Sequence, residues 1–395
     1  MIARLQYHVS AALAQYFGVS TRAALGLYIR ASLLVMFILL VIAIAIDLAQ
    51  SLGWITDRAQ QLDVPRPQVM APYLLYRSVD IVTRLFPQAC FFGLFFAEII
   101  RARRYERIIL ALAGVSPAIS LSGVMVFALF AGMFQVFAES WARPAAVFAQ
   151  VDLDVGVYAH RFHPRLRGNS DWFISGDDVV RALVKTGPDP ELRDVEVFRG
   201  FNRNRLTSIV MAERAVPTDE AHIWRLSNVV TWTAAPDGPD YLTKAEDTAD
   251  IRINLLPIQL EYHGIAAFYM HGKTLAKFTA IRDAPTTADA DLAIWRRWSA
   301  VFLPGVFAFM GASLAQIGYP GNRQHAPRLV AFAVFGYLSI VSIKIFWSLG
   351  ERSILSAPAS VMTPLIFVAG IGILAQLAQT ARKMPRLFPK KPVSG

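Results

Sequence analysis

Apolar residues gather into two sets of three long stretches. The first set lies near Tyr28–Leu48, Tyr73–Ile100 and Pro117–Ala138, the second near Trp298–Gly318, Leu329–Leu349 and Val361–Leu377. A bilayer core takes roughly 20 apolar residues per helix, with about 17 as the lower limit. The pattern therefore predicts six membrane-spanning helices in a 3+3 arrangement. Between the sets, residues 139–297 break into short apolar runs separated by turn formers. Trp172–Ile174, Asp194–Phe201, Leu206–Ala212, His222–Leu226, Val229–Trp232 and Asp250–Leu255 read as strands, with a turn at Asn202–Arg203–Asn204. Within Leu206–Ala212, Leu206, Ser208 and Val210 take one face and Ile209 and Met211 the other. The expected fold class is a polytopic α-helical membrane protein with an inserted all-β domain, a sandwich or jellyroll.

Composition agrees: 55% of residues are hydrophobic, 26 are Phe and only 17% are charged, too apolar for a soluble chain of this length. Basic residues then set the orientation. Arg4, Arg22 and Arg30 precede or open the first span. Arg101, Arg103, Arg104 and Arg107 crowd the link between spans two and three. Arg323 and Arg328 follow span four, and Arg382, Lys383, Arg386, Lys390 and Lys391 follow span six. All four segments fall on one side, which is therefore cytoplasmic, with both termini, and the insertion faces the opposite compartment. The expected organisation is a cytoplasmic lead-in over 1–27, not a removed signal peptide, then spans one to three over 28–138 with a cytoplasmic link at 101–116. The β domain follows over 139–297, spans four to six over 298–378, and a basic tail over 379–395. The net charge of +10 is mostly this topological bias and does not indicate nucleic-acid binding.

Charges inside the spans are the first chemical lead, because a charge in hydrocarbon costs at least about 2.5 kcal/mol. Arg77, Asp80 and Arg84 are spaced i, i+3, i+7 on one face of span two, and Lys344 lies in span five. Guanidinium forks suit lipid phosphates on the wall of a wet cavity. The alternative is that Asp80 neutralises an arginine within the bundle while Arg77 and Lys344 snorkel to the interface. Other features read as structural. The lone Cys90 excludes a disulfide framework and a thiolate metal site. His160 and His163 lack further ligands at metal-binding spacing, and Asp177–Asp178 reads as a turn. Ser175 is not in a nucleophile elbow. Ser120, Ser122, Gly123, Gly305 and Gly311 point to close helix packing, and Trp295 and Trp298 to an interface anchor. No phosphate-binding loop of the G-x-x-x-x-G-K-[ST] type occurs, so energy from ATP has to come from a partner.

Several stretches carry a family resemblance. Tyr105–Glu106 through Ala113–Gly114–Val115–Ser116, Glu139–Ser140–Trp141–Ala142–Arg143–Pro144 after span three, Pro87 in span two and the β-domain stretch Leu192–Asn228 follow one another in a specific order. Their order and the 3+3 layout resemble the LptF/LptG (YjgP/YjgQ) family of lipopolysaccharide-exporter permeases, and the β-domain stretch is similar to the LptG branch in particular. The resemblance implies a multi-pass protein of the bacterial inner membrane with a periplasmic β domain. It implies pairing with a second permease of the same type, an LptB-like ABC ATPase dimer that supplies ATP and Mg chemistry, and an LptC/LptA-like periplasmic bridge. The cargo would be lipopolysaccharide, drawn from the outer leaflet and passed over the jellyroll, with no cofactor bound by this chain. In the link, Glu106 corresponds to the family's acidic residue, Ile108, Ile109 and Leu112 would anchor in a groove of the ATPase, and Arg103, Arg104 and Arg107 would pair with its acidic rim. The alternative for these arginines is topology and headgroup contact. The family commonly carries basic residues along outer span one. Here Ala43 to Gly53 holds only Asp47 as a charge and Arg58 is the next basic residue. Either the span-two arginines take over that role, or the partner subunit supplies it, or the cargo differs; the candidate phosphate contacts in this chain are Arg77, Arg84, Lys344 and Arg58. A paralogous exporter of another anionic lipid and a non-transporting membrane scaffold remain as alternatives.

Overall fold

The computed structural model of the chain describes residues 18–115, 117–162, 170–175, 177–187, 189–200, 206–234, 241–280, 287–318 and 326–383. The expected turn at Asn202–Arg203–Asn204, His163, and the basic residues Arg4, Arg323, Arg386, Lys390 and Lys391 lie outside them. The chain divides into two compact units. One takes Met1–Gly53, Met70–Val147 and Asp291–Gly395, and the other takes Trp54–Val69 and Phe148–Ala290.

The first three apolar stretches form α1 (Val19–Gln61), α2 (Arg66–Arg103) and α4 (Pro117–Phe137), with the short helix α3 (Glu106–Leu112) between the last two. The last three form α10 (Leu303–Gly318), α11 (Ala326–Glu351) and α12 (Ala357–Lys383). Among the described residues five helices are long and apolar enough to cross a membrane, and a helix pair bent by 54°, Ala288–Ser299 with Leu303–Gly318, brings the total to as many as six. The bend has a local cause: Pro304 has no N–H to offer the preceding turn, and its ring clashes with the carbonyl four residues back. Trp298 thus lies in the last turn of the first helix of this pair, and α10 itself starts at Leu303. Helix α1 runs 43 residues, about 65 Å at 1.5 Å per residue, twice what a bilayer core needs. Hydropathy marks only part of such a helix, and the chain between the apolar stretches of spans one and two is helical except for a reversal at residues 62–65, where Asp63 takes a left-handed φ of 52°.

Close packing in this unit uses glycine as expected. A Cβ on Gly305 would lie 2.8 Å from Ala128 Cβ, and one on Gly311 would collide with the Phe91 carbonyl oxygen. Helix α10 is the most enclosed span. Its Phe307, Met310 and Leu314 join Phe91, Phe95 and Ile343 in one apolar core. A second core gathers Tyr28, Leu94, Phe127 and Ala308, and Thr21 and Ser122 share a 2.8 Å hydrogen bond beside it. By contrast α1 leaves Leu33, Leu34, Phe37, Val41 and Ile42 exposed, and α11 leaves Val334, Tyr337, Leu338 and Ile345 exposed. Such faces require hydrocarbon or other apolar helices around them.

In the second unit six strands run antiparallel in sequence order: β1 (Asp171–Ser175), β2 (Asp178–Lys185), β3 (Glu191–Arg199), β4 (Ser208–Pro217), β5 (Ile223–Ala234) and β6 (Tyr241–Arg252). The sheet is consistent with a jellyroll-like inserted domain. Alternate residues Val180, Ala182 and Val184, Val195 and Val197, Val210 and Ala212, and Trp224 and Leu226 fill its core. Trp224 is fully buried and donates its indole N–H to the Leu255 carbonyl at 3.0 Å. Two expectations change. His222–Leu226 and Val229–Trp232 belong to one strand, because Asn228 absorbs a left-handed φ of 53° without ending it. Of the expected turn pair, Asp177 lies in the β1–β2 turn, and Asp178 follows it as the first residue of β2, opposite Ser175. The insertion also carries helices at both ends. After a π-helical turn at Ala138–Ala142 come α5 (Arg143–Asp152) and α6 (Gly156–Phe162), and after β6 come α7 (Pro257–Glu261), a 3-10 turn, α8 (Gly272–Thr279) and α9 (Thr287–Ser299). Apart from α9, these are elements of ten residues or fewer, too short to show a sustained helical period, and α8 for example buries only Leu275 and Phe278.

Candidate functional site

The link between α2 and α4 is built as a rigid, outward-facing helix. The chain leaves α2 at Arg103, reverses through Tyr105 at a left-handed φ of 56°, and enters α3 at Glu106. Helix α3 ends on Gly114 at φ 76°, where Gly114 N–H reaches the Ala111 carbonyl and Val115 N–H the Leu110 carbonyl at 3.0 Å. This is the pair of bonds that closes a helix through a left-handed residue, and it gives the Ala113–Gly114–Val115 stretch its physical reason. No residue of α3 is buried. Ile108 is 46%, Ile109 60% and Leu112 84% exposed, an apolar stripe at i, i+1, i+4 that the chain itself leaves uncovered.

A buried carboxylate holds this helix to α2. Glu98 is almost completely enclosed and accepts hydrogen bonds from Tyr28 Oη, from Arg101 at 2.8 Å and from Arg107. Arg101 also donates from Nε to Glu106 Oε2 at 3.1 Å and to Tyr28 Oη at 2.7 Å. One charge network thus ties α1, α2 and α3. An enclosed carboxylate is tolerated only with such a full complement of partners. Of the expected link residues, Glu106 enters the network, Arg103 and Arg104 lie at the surface, and Ile108, Ile109 and Leu112 point away from the chain.

A second network gathers the charges of span two. Asp80 has no exposed surface and pairs with Arg77 at 3.1 Å, Arg84 at 2.8 Å and Arg143 at 2.8 Å. Arg77 reaches Asp47 of α1 through Nε at 2.7 Å, and Asp47 also accepts from Tyr73 Oη at 2.6 Å. Glu139 completes the set by pairing with Arg143 at 3.1 Å. Arg143 is aimed by the π-helical turn before it: Pro144 cannot take part in an α-helical bond to residue 140, so the helix widens there. Three carboxylates and three guanidiniums balance. Within them Arg77 is held between two carboxylates with its side chain 14% exposed, whereas the Arg84 side chain remains 43% exposed.

The other phosphate candidates stand apart. Lys344 is exposed on the outer face of α11, one heptad from Tyr337, and carries no ion pair among the described residues. Arg58, near the end of α1, belongs to the second unit, donates to the Leu153 carbonyl at 3.2 Å and lies 3.6 Å from Asp154. No group of acidic, histidine or cysteine side chains among the described residues is arranged to hold a metal ion.

Sequence reasoning missed Glu98, Arg101 and Tyr28 as a unit, and Asp47, Tyr73 and Arg143 as partners of the span-two charges. Asp47 was the available signal, since a lone carboxylate in an apolar span calls for a buried cation on a neighbouring helix.

The sequence model of one family, described as lipopolysaccharide export system permease LptF/LptG, matches residues 22–377. No curated protein matches the chain.

Proposed function

Because the chain belongs to the LptF/LptG family of lipopolysaccharide export permeases, a transporter component and not itself an enzyme, we propose that it is the membrane subunit of an ATP-driven exporter. In this reading it lies in the bacterial inner membrane with both termini cytoplasmic and the β domain periplasmic. An LptB-like ATPase dimer binds ATP and Mg and docks on α3 from the cytoplasm. A second permease of the same family packs against the uncovered face of α11, while the uncovered face of α1 meets lipid. The observation that carries the proposal is α3 itself: an exposed apolar stripe of Ile108, Ile109 and Leu112 fixed by Glu98, Arg101 and Gly114. A helix held so firmly yet covered by nothing suits a lever that transmits force from a partner.

Cargo enters between the two permeases in the outer leaflet, moves along the sheet of the β domain and leaves to an LptC/LptA-like bridge. Of the expected phosphate contacts, Arg84 and Lys344 suit the role best, because each keeps an exposed cationic head. Arg77 serves chiefly to balance Asp47 and Asp80. The resemblance of Leu192–Asn228 favours the LptG side of the family.

The test is purification of the tagged full chain in mild detergent, with mass spectrometry of every co-purifying protein and lipid. An ABC ATPase, a second six-span permease and lipopolysaccharide are the expected companions. Recovery of the chain alone, or with soluble periplasmic proteins only, would overturn the transport reading in favour of a membrane scaffold.

A further inference from the structure

Between the start of α1 and the link helix α3 lies a groove of about 520 Å3. Four arginines, Arg22, Arg30, Arg101 and Arg104, line it against a single carboxylate, Glu106. Arg101 is occupied by Glu98 and Glu106. Arg30 and Arg104 are exposed and carry no ion pair among the described residues. Apart from Ser20, the rest of the wall is apolar, chiefly Leu27 of α1 and Ile109 and Leu110 of α3. Above Arg30 the exposed face of α1 continues as Leu33, Leu34 and Phe37. Cationic heads thus sit at one end of an uncovered apolar strip.

We infer that this groove binds the headgroup of an anionic phospholipid from the leaflet on the side of α3, with the acyl chains lying along α1. Three features argue for a lipid over an acidic protein segment. The charge excess is arranged around a concave site and not along a ridge, and basic pockets between spanning helices on the cytoplasmic side suit anionic headgroups. The groove opens directly onto the lipid-facing strip of α1, which gives acyl chains a place that a peptide would not use. Gly26 also lines the groove, and a Cβ added there would meet nothing within 4 Å. A helix-interior glycine costs about 1 kcal/mol relative to alanine, and no neighbour in the chain requires the space it leaves. A bound headgroup would fill it. Since Glu106 and Arg101 border the same groove, occupancy would bear on how α3 is held.

The inference rests on the orientation proposed above but not on cargo or ATPase, so it is tested on the full chain in isolation. The purified protein is exchanged into detergent with phosphatidylglycerol, phosphatidylcholine or inorganic phosphate, and retained lipid is counted by native mass spectrometry. The expected result is one phosphatidylglycerol retained about tenfold more strongly than phosphatidylcholine, equivalent to about 1.4 kcal/mol, with no retention of free phosphate. The double variant Arg30→Gln/Arg104→Gln and the space-filling Gly26→Leu should each lose that preference, while Gly26→Ala keeps it and serves as the folded control by its melting temperature. Equal retention of the two lipids, or unchanged preference in both variants, overturns the inference. Loss of ATPase binding in the Arg30/Arg104 variant without any phosphatidylglycerol preference in the parent overturns it in favour of an acidic protein partner.

Discussion

Arg101 donates from Nε to Glu106 over 3.1 Å and from its terminal nitrogen to Glu98 over 2.8 Å. It is therefore the strut between the last turn of a spanning helix and the first turn of the helix that faces the cytoplasm in the proposed orientation. Side-chain accessibilities differ sharply across the strut, 1% at Glu98 and 38% at Glu106. The inner end is fixed by Tyr28 and Arg107 as well, whereas the outer end is open to a partner.

Removing the inner anchor should loosen the strut. Glu98→Ala leaves Arg101 enclosed without its main counter-charge, and breaking such a buried pair by deleting one member costs about 3–5 kcal/mol. Thermal melting in detergent is expected to fall accordingly. Glu98→Gln keeps the shape and some hydrogen bonds, so it should melt closer to the parent yet still lose lipopolysaccharide-stimulated ATP hydrolysis in the reconstituted complex. Parental stimulation in Glu98→Gln would show that the network serves folding alone.

The exposed stripe should behave in the opposite way. Ile109→Asp and Leu112→Asp alter side chains that are 60% and 84% exposed, so stability should stay within about 0.5 kcal/mol. Co-purification of the ATPase should drop more than about tenfold, the equivalent of about 1.4 kcal/mol of binding energy. An unaffected pull-down would mean that α3 is not the docking element.

The spans were legible in the sequence because their apolar stretches match the thickness of a bilayer core, and the strands because a period of 2 reports which face is buried. Val180, Ala182 and Val184 show what was not legible: the run Asp178–Lys185 alternates correctly but opens on the second of two aspartates, Asp177–Asp178, that suit a turn. The link was readable only in outline. Glu106 and the apolar residues around it stand out by pattern, but Glu98 gains its importance from Tyr28, which lies 70 positions away. For the same reason Arg77, Asp80 and Arg84 looked like a free cationic face. Their neutrality comes from Asp47, Glu139 and Arg143 on other segments, and long-range charge balance leaves no local signature.

That balance separates two classes of arginine. Asp80→Ala removes a carboxylate that meets three guanidiniums, two of them largely enclosed, and should cost about 3 kcal/mol or more by the buried-pair rule. Arg84→Gln removes a half-exposed partner and should change melting by less than about 1 kcal/mol, as exposed ion pairs do. If Arg84 touches cargo phosphate, crosslinking or co-purification of lipopolysaccharide should fall in Arg84→Gln while the fold persists. Equal cargo recovery in Arg84→Gln and parent would restrict the cluster to a structural role.

Acid should weaken the β domain through Glu191. Its side chain is 3% exposed at the start of β3 and meets Arg193 at 2.7 Å, Arg214 at 2.5 Å and Lys185 at 3.8 Å. Burial pushes its carboxyl upward, but the hydrogen bonds from Arg193 and Arg214 and the charges of Arg214 and Lys185 together hold it below the usual carboxylate range. A carboxyl depressed in the folded state binds its proton more readily when unfolded, so its stabilisation is complete above the unfolded value of about 4.3. It is lost as pH falls from there through the depressed folded value. Hydrogen exchange of β3 and β4 in the full chain is the measurement, comparing parent and Glu191→Gln at each pH. At pH 7 the variant should exchange faster, and the gap should narrow as pH falls below the usual carboxylate range. A gap that stayed constant with pH would mean that packing at this position, and not the charge of Glu191, sets the stability of the two strands.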